Sequence, residues 1–203
     1  MEPQRVVVFL DWQNVYKAAR KLFHNDRGPV QLGNVHPMRL GERLAEGRPG
    51  HARALTQVRI YRGQPDSTRD RRSYSANRRQ QAAWERAGAK VIQRTLRYPP
   101  AWPDHKAQEK GIDVALAVDF VMMAVADEYD VGILMSTDTD LKPALEAVVA
   151  LGGNHRPHRE VAAWTDPDRR SSRLSIPRVR LWCHHLDLDD YKAMADVRDY
   201  TVG

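Results

Sequence analysis

Apolar positions along this chain fall into two patterns, short unbroken runs and helical spacing, and their alternation predicts the architecture. Residues 6–10 (Val6, Val7, Val8, Phe9, Leu10) form a continuous run rich in β-branched side chains, as in a strand buried on both faces. Residues 15–23 then carry apolar side chains at helical spacing through Val15, Ala18, Ala19 and Leu22. A loop follows over 24–35, and Pro37 suits the first turn of a short helix over 37–47. Alternation over 54–61 predicts a second strand, and the proline-free, arginine-rich stretch 67–87 predicts a helix stopped by Gly88. A third strand is read at 91–93, followed by a proline-rich loop over 98–104. Residues 111–128 are apolar nearly all round, which predicts a long helix buried on several sides. Residues 131–135 are a fourth strand and 161–164 a fifth. Between them a helix spans 141–151, with Pro143 in its first turn and Gly152–Gly153 at its stop.

Strands alternating with helices predict an α/β fold with a mostly parallel sheet covered on both faces. After Trp164 the pattern weakens into an arginine-rich loop over 165–178, an edge strand at 181–183 and a terminal helix over 189–197. The organisation read from this is one domain over 1–165 with a C-terminal extension, 166–203, packed on it. Hydrophobic residues at 42% of 203 suffice for a core. No apolar stretch reaches the 18 or so residues of a membrane span. The N-terminus runs straight into a strand without room for a signal peptide, and the lone Cys183 excludes an internal disulfide framework. A cytoplasmic protein is the expectation.

Charge sharpens the picture. The net charge is +6 and the pI about 9.6, which suits a polyanionic partner. The basic excess is concentrated around Arg71, Arg72, Arg78 and Arg79, and again from Arg156 to Arg180, while charged residues over 111–141 are almost all acidic. In open parallel sheets ligands bind beyond the carboxyl ends of the strands. Asp11 ends the first strand, Asp138 and Asp140 follow the fourth, and Asp113 opens the helix after the third. All four are therefore predicted at one rim of the sheet. An aspartate at a helix start is ordinarily a cap, and for Asp113, Asp138 or Asp140 alone capping is the simpler account. Asp11, at the end of a buried strand, needs a partner or a metal. Four like charges at one rim call for a cation. Asp119 lies six positions after Asp113, about 120° around a helix, so it is placed in a supporting position bonded to neighbouring elements.

Three segments carry a resemblance. The run from Val8 to Tyr16, with Asp11-Trp12-Gln13-Asn14, resembles the opening signature of the NYN domain family, within the PIN-like nuclease superfamily. The segment Lys110-Gly111-Ile112-Asp113, continuing to Leu116 and Asp119, is similar to its K-G-x-D-x-x-L-x-x-D helix. Ser136-Thr137-Asp138-Thr139-Asp140-Leu141 resembles its S-G-D-x-D-F block, with Thr137 in place of a glycine and Leu141 in place of a phenylalanine. The resemblance implies a PIN-like three-layer α/β/α sandwich and a Mg²⁺ or Mn²⁺ site. It assigns Asp11, Asp113, Asp138 and Asp140 as metal-binding catalytic residues, supported by Asn14, Ser136 and Asp119.

Carboxylate-only sites suit hard cations that prefer oxygen. The implied activity is metal-dependent hydrolysis of RNA by activated water. Arg71, Arg72, Arg78 and Arg79 are the RNA-binding candidates, and Trp12, Tyr74 and Trp102 are possible stacking surfaces. The rival reading is a module of the same fold that binds RNA or protein without cutting; a protein inhibitor is a further possible partner. Zinc is disfavoured because His155-x-x-His158 and Cys183-His184-His185 lack partner pairs. No glycine-rich phosphate loop follows a strand, and Asp11 is not part of a D-x-D pair, which disfavours nucleotide binders and aspartyl phosphatases.

Overall fold

Six strands form one sheet in the order β3-β2-β1-β4-β5-β6, with every neighbouring pair parallel. They are β1 (Gln4–Asp11), β2 (Arg53–Gln64), β3 (Lys90–Thr95), β4 (Val131–Met135), β5 (His158–Trp164) and β6 (Trp182–Leu186). The helices are α1 (Trp12–His24), α2 (Pro37–Glu46), α3 (Arg71–Arg86), α4 (Ile112–Val125), α5 (Lys142–Ala150) and α6 (Leu188–Met194). A 3-10 turn, Thr139–Leu141, leads into α5. This computed structural model describes residues 2–47, 50, 52–151, 157–168 and 172–202. The expected helix stop at Gly152–Gly153, His155 and the basic residues Arg156, Arg169 and Arg170 lie outside the described residues.

The continuous apolar run of β1 has a direct structural cause. Val6, Val8 and Leu10 enter one core with side chains of α1, α2, α3 and α6, while Val7 and Phe9 enter the other with α4 and α5. Two faces, each covered by helices, make the PIN-like three-layer sandwich. Strand order reverses between β1 and β4, so the loops leaving these two strands diverge and open a crevice at the sheet's carboxyl edge.

Local boundaries differ from the sequence reading where capping decides them. Helix α1 begins at Trp12 because Asp11 caps it, accepting the Asn14 backbone N–H. Strand β2 runs on past residue 61, where Arg62 and Gly63 pair with Gln93 and Arg94. The sequence reading of 111–128 as buried on several sides needs correction. Val114, Val118, Met122 and Val125 are all more than half exposed. Helix α4 belongs to an outer layer, resting on the sheet and beside α5, and its outward stripe meets no described element. Beyond Trp164, Leu174, Ile176 and Leu181 are buried in the second core, and Tyr191 and Met194 of α6 in the first. No described helix is long and apolar enough to cross a membrane.

Candidate functional site

Asp11 has its carboxylate held from two sides. Ser136 Oγ donates to Oδ2 at 2.7 Å, and the Asn14 N–H donates to Oδ1 at 3.3 Å. Ser136 is buried, and its hydroxyl also accepts the Asp138 backbone N–H at 3.0 Å. Asn14 Oδ1 in turn accepts from both the backbone N–H (3.1 Å) and the hydroxyl (3.0 Å) of Thr137. The threonine that stands where the family motif has glycine thus ties the β4 loop to α1. Leu141, in place of phenylalanine, is buried in the second core.

Asp11, Asn14, Thr137 and Asp138 line a cleft of about 600 Å³ at the carboxyl edge of β1 and β4, and Asp113 joins them in its wall. Asp113 reaches it because Gly111 adopts a left-handed conformation, φ 71°, that starts α4 there. Burial pushes the Asp11 carboxyl above its ordinary value of 3.8. Its bonds from Ser136 and Asn14 oppose the rise, and the Asp138 and Asp113 charges add to it.

Three wall residues escaped the sequence reading. Glu109 lies in the cleft, its pKa raised by burial against the opposing Gly63 N–H bond and raised further by the Asp11 charge. Among the described residues, Lys17 and Lys21 supply the cleft's cations from α1. Their spacing was legible, since Asn14, Lys17 and Lys21 recur at three and four residues on one helix face. Glu109 had no such signal; it sits in a loop and reaches the site only through the turn at Gly111.

Other sequence candidates lie elsewhere. Asp140 is exposed and does not line the cleft; its N–H donates to Asp138 Oδ1 at 3.0 Å. Asp119 accepts from Tyr61 Oη at 2.7 Å and pairs with Arg59, fastening α4 to β2. Arg71, Arg72 and Arg78 are exposed on α3, whereas Arg79 Nε donates to the Tyr200 carbonyl at 2.8 Å. None of the four lines the cleft. Trp12 is buried, its ring 4.3 Å from that of Trp84, and Trp102 stands edge-on to Tyr98.

Among the described residues no three His, Cys, Asp or Glu side chains stand together as a ready-made metal cluster. The carboxylates line the cleft wall rather than meet at a point. Their chemistry nonetheless fits a hard divalent cation: all are oxygen donors, and their mutual repulsion in a half-enclosed cleft is what such an ion would relieve.

A parallel sheet covered by helices on both faces, with an acidic cleft at its switch point, is a PIN-like, nuclease-type fold. Residues 5–154 match the NYN domain, and the chain belongs to the NYN domain family. A protein of unknown function from Vibrio parahaemolyticus, known from its crystal structure, is similar in fold. Its TM-score is 0.52 at 15% identity, over 80% of this chain and 84% of that one. No curated protein matches the chain.

Proposed function

We propose that this protein is a metal-dependent ribonuclease that hydrolyses RNA phosphodiesters with water as the nucleophile. The observation that carries the reading is the Asp11–Ser136–Asp138 linkage, which ties the Asp11 carboxylate to the backbone of the loop after β4 that carries Asp138, in one cleft that Asp113 also lines. A Mg²⁺ or Mn²⁺ ion held by Asp11, Asp113 and Asp138 would supply charge neutralisation at the phosphate and a water of lowered pKa. Asp140 adds negative charge beside that set.

The chain's own residues do the rest. Ser136 and Asn14 orient Asp11 so that its remaining lone pairs face the cleft. Lys17 and Lys21 attract the RNA backbone to a rim that the carboxylates alone would repel. The N-terminus of α4 opens at this edge without a side-chain cap, and its N–H groups favour an anionic phosphate. In this reading residues 1–165 carry the cleft's carboxylates and lysines, while the 166–203 extension adds Ser172 to the cleft lining and β6 to the sheet.

The test is cleavage of single-stranded RNA by purified protein with Mn²⁺ or Mg²⁺. Chelation and Asp138→Asn are each expected to abolish it, leaving products with 5′-phosphate and 3′-hydroxyl ends. Products ending in 2′,3′-cyclic phosphate would exclude water as the nucleophile. Cleavage by Asp138→Asn at the wild-type rate would expose a contaminating ribonuclease and leave a non-cutting binding module as the better account.

A further inference from the structure

A second cavity, of about 350 Å³, opens beside the carboxylate cleft and shares Gln13, Lys17 and Glu109 with it. The proposed hydrolysis makes no use of this space. It lies between α1 and α3 at the carboxyl end of β2, where Arg62, Asn77 and Gln80 meet the rings of Trp12 and Tyr16. Asn77 and Gln80 are buried, and their bonds organise the wall. Asn77 Nδ2 donates to the Gly63 carbonyl at 3.2 Å while its Oδ1 accepts from Gln93 at 2.7 Å. Gln80 Oε1 accepts from Arg62 Nη1 at 2.6 Å.

Arg62 is the unusual member. Its guanidinium carbon lies 5.1 Å from the centroid of the Trp84 ring, and its Nε is enclosed without a hydrogen-bond partner among the described residues. Burial pushes its pKa down to about 10, against the pull of the Glu109 carboxylate, so it remains a cation at neutral pH. Nη1 is already bonded to Gln80, and a desolvated guanidinium gains from any further acceptor that an occupant of the cavity offers it. Glu109 completes the wall. Its Oε1 accepts the Gly63 N–H at 2.5 Å, which leaves Oε2 as an acceptor.

Lys17 also lines the cavity, but a phosphate is a poor occupant of it, because Glu109 would repel it and Pro65 and Leu96 offer it no donors. A flat base suits aromatic and apolar walls with a few polar groups at the edge. We propose that this cavity receives one unstacked base of the RNA and selects a base with a ring carbonyl beside a ring N–H, namely guanine or uracil. The carbonyl accepts from Arg62 and the ring N–H donates to Glu109. Adenine and cytosine place an amino donor where the carbonyl would be and a bare ring nitrogen where the N–H would be, leaving both protein groups unpaired. The inference rests on the ribonuclease reading only for its role, which is to choose the base beside the cleaved phosphate.

Calorimetric titration with the four ribonucleoside monophosphates in EDTA tests it without any cleavage. GMP and UMP are expected to bind at least about tenfold more tightly than AMP and CMP, the lower end of the discrimination a well-placed bidentate contact provides. Arg62→Gln should bring the four affinities within about twofold, while Asp138→Asn should keep the wild-type preference. Should Arg62→Gln fail to fold by circular dichroism, Glu109→Gln is the substitute. It is nearly isosteric and can keep the Gly63 bond through its amide oxygen, but it turns the acceptor for the ring N–H into a donor, so the same loss is expected. Equal binding of all four, a preference retained in the folded variant, or competition by inorganic phosphate alone would each overturn the proposal. If the preference holds but RNA is not cleaved with Mn²⁺, the ribonuclease reading fails and the base site stands.

Discussion

The hydroxyl of Ser136 donates to the Asp11 carboxylate at 2.7 Å, joining the end of β1 to the end of β4 across the switch point of the sheet. Because the same oxygen accepts the Asp138 N–H, one buried side chain sets the separation of two cleft carboxylates. Ser136→Ala is expected to cost about 1.5–3 kcal/mol of stability, the usual range for a lost bond to a charged group. Removing such a supporting bond also lowers metal affinity, by roughly 10-fold or more. Urea denaturation and titration with Mn²⁺ check the two halves. An unchanged Mn²⁺ affinity would show that Ser136 does not position Asp11 for a cation.

Asp11 carries a stability cost in the metal-free protein. A carboxyl whose folded pKa is raised holds its proton more tightly in the folded state. The resulting stability is present below its unfolded pKa and lost as pH rises through the folded value. Asp11→Asn keeps the capping acceptor and removes the charge. At pH 7 without metal it is expected to raise the melting temperature by about 2–4 °C, the shift that about 1 kcal/mol produces in a chain of this size. The gain should vanish as pH falls below 3.8, where the wild-type carboxyl is protonated folded or unfolded. Mn²⁺ should stabilise the wild type and have little effect on the variant. Scanning calorimetry across pH decides this, and a variant less stable than wild type at pH 7 would contradict it.

Lys17 and Lys21 are expected to dominate the electrostatics of RNA binding because they line the cleft. Replacing both with alanine should flatten log affinity against log salt by about 1.4, two phosphate contacts at about 0.7 each for single strands. Replacing Arg71, Arg72, Arg78 and Arg79 together tests the path along α3. Arg79→Ala also removes the tie to the Tyr200 carbonyl, so its effect on melting must be measured beside its effect on binding. A slope unmoved by the lysine pair would route the RNA over α3.

Asp119 stands below its ordinary carboxylate value even though burial opposes the charge, because bonds from Tyr61 and Arg59 outweigh that burial. A depressed folded pKa contributes stability above the unfolded value that is lost as pH falls through the folded one. Asp119→Asn is therefore expected to destabilise the protein at pH 7 by about 1 kcal/mol, a figure discounted because the carboxylate is a third exposed. The gap from wild type should close in acid, below 3.8. Cleavage per folded molecule is expected to be unchanged. A fall in turnover without a change in melting would place Asp119 in the catalytic machinery instead.

Much of this architecture was legible because its causes are local. An unbroken apolar run such as Val6 to Leu10 can only be buried twice over, and strands separated by helices can only return parallel. Asp11, Asp113 and Asp138 could be assigned to one edge because each sits at the end of a strand or the start of a helix, and chain direction determines that edge. What lay beyond reach depends on which surfaces meet. The apolar periodicity of α4 says nothing about how many layers will cover it, and its stripe from Val114 to Val125 stays open to solvent. Asp119 reads as bonded to some neighbouring element and Arg79 as an RNA contact, but only the fold names Arg59 and the Tyr200 carbonyl, both remote in sequence, as their partners. Glu109 and Arg62 gain their roles only when a loop and a strand end close on the same space beside α1. Neighbours distant in the chain supply the desolvation and the partner charges, and those interactions, absent from any local pattern, determine what each ionisable group can do.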